Sequence, residues 1–233
     1  AAWLRAARAC WGVAETFPGR TDGARGRRPA RGQPRRPGAL RCQGGADHAG
    51  ARPMDTRRDP MAAAAEIIST AINTAHRMVR PAVTTVGRMS VEPNGAAIVP
   101  ERVHFTIDAR HPDPETRELL YARHEATIRA VCERRDIEYS WSNGAEQPPR
   151  VSDSELVDTF VEAASEQGIS HSTMPSGAVH DANRMAGFSR MVMLFVQSKD
   201  GRSHTPEEFT YPEHAAYGVS LLEAGLHKMA YGD

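Results

Sequence analysis

The sequence predicts a mixed fold, α+β in its first half and α/β in its second. A ferredoxin-like unit is expected over residues 42–147 and an α/β unit over 148–233. Three observations carry this. Residues 102–110 alternate, with Val103, Phe105, Ile107 and Ala109 on one face and His104, Thr106, Asp108 and Arg110 on the other. That is the period of a half-buried strand. Two Asp-Pro pairs, Asp59-Pro60 and Asp113-Pro114, each open a helical pattern with a capping carboxylate and a proline at the first helical position. Residues 190–196 contain a continuous apolar run, the pattern of a strand buried on both faces.

The elements follow in order. After Pro60, apolar residues recur at Met61, Ala64, Ile68, Ala71, Ala75 and Met78, and Pro81 ends that helix. Val83–Val91 has strand character. The alternating strand comes next, and Asp113-Pro114 starts a second helix reaching about Arg135. Its expected apolar side is Leu119, Ala122, Ala126 and Ala130, flanked by Leu120, Thr127 and Val131. Ile137–Trp141 is a short strand. The order α-β-β-α-β lacks one strand before Asp47 to complete a ferredoxin-like unit, and residues 40–43 offer only a remnant of it. After a linker over 143–152, a helix with Leu156, Phe160 and Ala163 or Ala164 inward closes at Gly168. A last helix carries a stripe of Ala215, Val219, Leu222, Leu226 and Met229 that is expected to face the core.

Residues 1–41 read as a basic Arg/Gly/Pro leader without a fold of its own. Residues 19–41 hold eight arginines against one aspartate, Asp22. Such a stretch buries too little apolar surface to offset the entropy of ordering it. Formal net charge over the 233 residues is +0, so no general attraction to nucleic acid or to an anionic membrane is expected. No apolar run is long enough for a membrane span. Cys10, Cys42 and Cys132 are odd in number and form no ligand pair, which suggests free thiols and a cytoplasmic location.

Four polar clusters could carry chemistry: residues 47–50 with His48, Arg110-His111, residues 176–181 with His180, and residues 203–208 with His204. Groups just beyond strand ends often build sites in α/β folds. His204 can be a metal ligand, with Glu207 or Glu208 orienting its far nitrogen, or an ordinary surface histidine. His180 and His48 can each donate or relay protons, or be satisfied loop histidines. Arg110 can clamp a carboxylate with its fork, or lie on a solvated sheet face. His76, His104, His124, His171, His214 and His227 are expected at the surface, and His111-Pro112-Asp113 as a turn and helix cap.

Taken together the clusters resemble the M20-type metallohydrolases, in the hydantoinase/carbamoylase branch of N-carbamoyl-L-amino-acid hydrolase, beta-ureidopropionase and allantoate amidohydrolase. The matching passages are ADHAGARPMDTRRDPMAAAA at 46–65, VEPNGAAIVPERVHFTIDARHPD at 91–113, PSGAVHDANRMA at 175–186 and FVQSKDGRSHTPEEFT at 195–210. The resemblance implies a ferredoxin-like dimerisation domain over 42–147, followed over 148–233 by the C-terminal part of an α/β metallohydrolase catalytic domain. It implies catalytic roles for His48, reaching into a partner's site to steady the oxyanion, and for His180, closing over the substrate. It also implies that Arg110 and His180 bind substrate and that His204 binds metal. The implied cofactor is a divalent metal, two per site in the intact family, as zinc, manganese, cobalt or nickel. The implied substrate is a small ureido or carbamoyl compound, and the implied partner is a second copy of the chain.

Two positions depart from the family pattern. Ala97 stands where the family has asparagine, and Val179 where it has glycine. The chain is further expected to lack the N-terminal half of the catalytic domain, with the other ligands and the general base. The isolated chain is then expected to be inactive, as a truncated or frame-shifted product of such an enzyme. The alternative is a non-catalytic dimerisation module.

Overall fold

The structure, a computed structural model, describes residues 3–10, 38–78, 80–143, 149–178 and 180–232. The disorder expected of the leader lies, over residues 11–37, outside the described residues. At both edges of that gap there is regular structure. Trp3–Cys10 forms strand β1 and Gly38–Gln43 forms strand β2.

Two short strands and three longer elements follow: β3 (Asp47–His48), α1 (Pro60–Arg77), β4 (Val83–Thr85), β5 (Met89–Glu92) and β6 (Ile98–Val99). Next come β7 (Arg102–Thr106), β8 (Asp108–Arg110), α2 (Pro114–Arg134) and β9 (Glu138–Asn143). The chain then runs through β10 (Arg150–Val151), α3 (Ser154–Glu166), β11 (Ser170–Ser176), α4 (Ala182–Met185), β12 (Met193–Phe195) and α5 (Pro212–Tyr231). The described residues divide into two compact units. One contains residues 38–143; the other joins residues 3–10 to 149–232.

In the unit of residues 38–143, four strands form an antiparallel sheet in the order β5-β7-β2-β9. The strand reduced to a remnant in the sequence is a full six-residue strand, central in this sheet. Gly38, Leu40 and Cys42 alternate inward, but the arginine- and glycine-rich stretch before them hides the period. Leu40 lies opposite Phe105, and both are about 1% exposed. They pack with Val103, Ala63, Ala64, Ile67, Leu120, Ile128 and Val131 in one core. Cys42 and Cys132 are free, buried thiols. The Cys132 side chain beside it, together with burial, pushes the Cys42 thiol up.

Both helices of this unit start as the sequence predicts. Asp59 accepts hydrogen bonds from the N–H groups of Met61 and Ala62, at 2.9 and 3.2 Å. Asp113 accepts from Thr116 N–H at 2.7 Å and from its hydroxyl at 2.6 Å, and these bonds hold its carboxyl below the usual range. Glu66 on α1 pairs with Arg134 and Arg135 at the end of α2, the latter at 2.9 Å.

The buried face of α2 is rotated from the expected one. Leu120, Tyr121, His124, Ile128, Val131 and Cys132 face inward, and Leu119 is exposed. Three of the four residues of the expected stripe are alanines, which are tolerated on any helix face. Larger side chains bury more apolar area and decide the orientation. His124, expected at the surface, is 1% exposed for this reason.

The second unit is built around β1. That strand pairs in parallel with β11 over Trp3–Cys10, and antiparallel with β12 and β10. Composition gave no sign of it, because a ladder is held by backbone groups that every residue carries. The apolar run at 190–196 yields only the three-residue β12, which is half-buried rather than buried on both faces.

Helix α3 starts on Asp153 and packs Phe160, Ala163 and Ala164 against Leu221 of α5. A Cβ at position 225 would lie 2.1 Å from Phe160 Cε1, so glycine there permits the close approach. Lys228 ties the two helices, 2.8 Å from Glu166 and 3.5 Å from Glu162. The expected inward stripe of α5 is therefore corrected: Ala215, Val219, Leu222, Leu226 and Met229 are exposed, while Leu221 and Gly225 are buried. This helix is apolar on more than one side, and periodicity alone does not choose among them. Among the described residues, no helix is long and apolar enough to cross a membrane.

Candidate functional site

The four candidate residues fall two in each unit. His48 and Arg110 belong to the unit of residues 38–143, and His180 and His204 to the other.

His48 ends β3, which pairs with β6 so that His48 lies opposite Ile98. It is exposed. Its Nδ1 accepts the backbone N–H of Gly50 at 3.1 Å. A backbone N–H can only donate, so Nδ1 carries no proton and the neutral ring keeps its proton on Nε2. The loop that follows is tied by arginines. Arg52 donates to Thr56 O at 3.1 Å and stands 3.7 Å from Asp47, while Arg57 donates to Arg52 O at 2.9 Å and to Ala49 O. His48 is thus an exposed N–H donor on a braced loop. Ala97, at the departure from the family pattern, accepts Ala49 N–H at 3.0 Å through its backbone oxygen.

Arg110 ends β8, opposite Val83 of β4. Its guanidinium is held by Asp108: Nε lies 2.9 Å from Oδ1 and 3.2 Å from Oδ2, and Nη2 lies 2.5 Å from Oδ2. The alternation of the strand puts both on one face, so this pairing was available from the i, i+2 spacing. The fork geometry suits a carboxylate, as Asp108 itself demonstrates. His111 next to it is buried and accepts Asp113 N–H at 3.1 Å, the turn the sequence predicts.

His180 follows β11. Its Nε2 lies 2.8 Å from Ser176 Oγ, and its ring packs on Phe195 with centroids 5.6 Å apart and planes at 60°. Phe195 also lines a cavity of about 690 Å³ with Met174, Val196, Gln197, Ser198 and Asp200. Val179, the second departure from the family pattern, lies outside the described residues. Ser176 is the partner that sequence reasoning left without a role.

His204 sits in the loop after β12. It is exposed and has φ 59°, in the left-handed region. Lys199 N–H donates to Phe209 O at 2.8 Å and closes the loop. Glu208 takes the backbone N–H of His204 at 3.0 Å rather than the ring nitrogen expected of it. A closed metal site takes three or four donors. Among the described residues, no group of three or more His, Cys, Asp or Glu side chains stands close enough to hold an ion. The donors among the described residues therefore do not fit a metal centre by themselves.

The profile of peptidase family M20/M25/M40 matches residues 35–228. The N-carbamoyl-L-amino acid amidohydrolase of Geobacillus stearothermophilus is 37% identical over 191 residues, covering 82% of this chain and 46% of that protein. The allantoate amidohydrolase of Escherichia coli is 34% identical over 188 residues, covering 81% and 46%. The crystal structure of an amidase of the hydantoinase/carbamoylase family from Burkholderia multivorans superposes with a TM-score of 0.76 at 30% identity, covering 82% of this chain and 47% of that one. The chain thus spans about half the length of the relatives it matches.

Proposed function

Because the chain belongs to peptidase family M20/M25/M40, we propose that it is the C-terminal portion of a metal-dependent amidohydrolase. Its reaction class is cleavage of non-peptide C–N bonds in linear ureido or carbamoyl acids, of the allantoate or N-carbamoyl amino acid type. The observation that carries this is similarity to amidohydrolases of that kind sustained over 191 residues spanning both units.

In this reading residues 38–143 are a ferredoxin-like dimerisation domain that joins two copies of the chain. The succession β2, α1, β5, β7, α2, β9 and the sheet order support it. His48 offers its Nε2–H to the developing oxyanion, Arg110 grips the substrate carboxylate, and His180 closes on the substrate. His204 is one ligand of a two-metal centre that takes zinc, manganese, cobalt or nickel. The remaining ligands and the general base belong to sequence matching the other half of the relatives. The 233-residue chain alone is then inactive. The exposed apolar stripe of α5 supports this, since such a patch usually marks a surface that another polypeptide covers. The buried free thiols fit a reducing, cytoplasmic setting.

The donor shortfall also favours a second reading, a non-catalytic dimerising module. Ligand recognition separates the two. An N-carbamoyl amino acid should perturb the Arg110 Nε–H resonance of the full chain, and the matching neutral amide should not. Arg110→Gln should weaken that binding roughly tenfold or more, the worth of one charge-assisted bidentate contact. Equal binding of acid and amide would support the module.

A further inference from the structure

We propose that Ser176 is the positioning residue that holds His180 as its Nδ1–H tautomer, so that the histidine presents Nδ1–H as a donor to a substrate oxygen. This rests on the substrate-side role given to His180 above and adds the residue that prepares it.

Ser176 is 6% exposed, so its hydroxyl hydrogen has little access to water. Its Oγ accepts the backbone N–H of Ala178 at 3.3 Å and stands 2.8 Å from His180 Nε2. Among the described residues those are its two partners. A serine hydroxyl has one hydrogen to give and two lone pairs to share. The Ala178 contact uses a lone pair. If Nε2 were protonated it would use the second, and the hydroxyl hydrogen would point at nothing in a buried site. An unmet buried donor is costly. With Nε2 unprotonated, Ser176 Oγ–H donates to it and every group is satisfied. The neutral ring then carries its proton on Nδ1.

Phe195, packed on the ring at 5.6 Å, restrains its tilt. Ring orientation and proton position are therefore set by two neighbours before any ligand arrives. Pre-set donors are the ones that stabilise developing charge without reorganising. His48 reaches the opposite arrangement through Gly50, with its proton on Nε2. The two histidines thus carry their protons on different ring nitrogens.

The test is spectroscopic and needs no activity. Long-range proton–nitrogen spectra of the ¹⁵N-labelled full chain, recorded above neutral pH, report which nitrogen of each histidine is protonated. His180 is assigned by the signals lost in His180→Gln. The expected result is Nδ1–H over Nε2–H by roughly tenfold or more, the factor set by one unmet buried donor. Ser176→Ala should shift the ring to Nε2–H, the form free histidine prefers, and Ser176→Thr should restore Nδ1–H. A purely packing role for Ser176 would leave the tautomer unmoved. Nε2–H in the wild type, or an unchanged tautomer in Ser176→Ala, would overturn the proposal. An Nδ1–H His180 in a chain whose Arg110 does not tell acid from amide would leave this inference standing and count against the substrate reading alone.

Discussion

Phe105→Ala is expected to remove about 3–5 kcal/mol from the unit of residues 38–143. Phe105 lies on β7, between Met89 of β5 and Leu40 of β2 in the sheet register, and is 1% exposed. Its ring belongs to the core that Ile67, Leu120 and Ile128 complete. Truncation loses the transfer free energy of the ring and leaves a void that a sheet fixed on both sides cannot collapse. Domains of this size have about 5–15 kcal/mol in total, so the loss is a large share. Met89→Ala, on the neighbouring edge strand and 41% exposed, should cost under about 1 kcal/mol. Urea unfolding followed by amide hydrogen exchange in β2 and β7 reports this unit separately from the other. A loss below about 1 kcal/mol for Phe105→Ala would contradict the core described here.

The second large effect is a loss of stability in mild acid, centred on His124. Burial lowers its pKa from 6.5 to about 4. Its Nε2 meets Thr84 Oγ1 at 3.0 Å, while Nδ1 is buried with no hydrogen-bond partner among the described residues. The unfolded chain takes up a proton at this histidine near pH 6.5, the folded chain only near pH 4. Between those values the unfolded state binds more protons, so stability falls as pH falls. Full charging costs about 3 kcal/mol, from the size of the shift. His124→Gln removes the titrating group. The wild type should therefore lose about that much more than the variant between pH 7 and pH 4. His104, also lowered by burial, acts in the same direction in both proteins and cancels. Parallel pH profiles for wild type and variant would refute the account of His124.

How much of this was legible in the sequence depends on what each feature is made of. The capped starts of α1 and α2 were legible, because Asp59 and Asp113 act on N–H groups only two or three residues ahead. The alternation at 102–110 gave the inward set Val103, Phe105, Ile107 and Ala109 correctly, since a period of two admits only two faces. Helix faces were harder. On α2 the buried side includes a histidine and a tyrosine that no apolar count would choose, and on α5 the buried side is set by Gly225 making room for Phe160. Both depend on the partner surface, which no local window contains. Strand β1 was illegible because its partners lie more than a hundred residues away, at Arg150–Val151, Ser170–Ser176 and Met193–Phe195.

The candidate site shows the same division. His48, Arg110, His180 and His204 stood out as residues, but their settings did not. Asp108 could have been assigned to Arg110 from the i, i+2 spacing, and Ser176 to His180 only from the fold of the loop between them. The expected link from Glu207 or Glu208 to the His204 ring failed on backbone geometry. At φ 59° the main-chain N–H of His204 turns toward Glu208, which accepts it at 3.0 Å.

In the proposed reading this chain supplies one ligand, His204, to a metal centre that its described residues do not complete. Metal content and turnover measured together on the purified 233-residue chain test it most directly. After equilibration with zinc, manganese, cobalt or nickel and removal of loosely held ions, the account predicts bound metal well below one ion per chain. It also predicts no detectable hydrolysis of N-carbamoyl amino acids or allantoate. Two tightly bound ions per chain with steady turnover, both lost in His204→Ala, would contradict it.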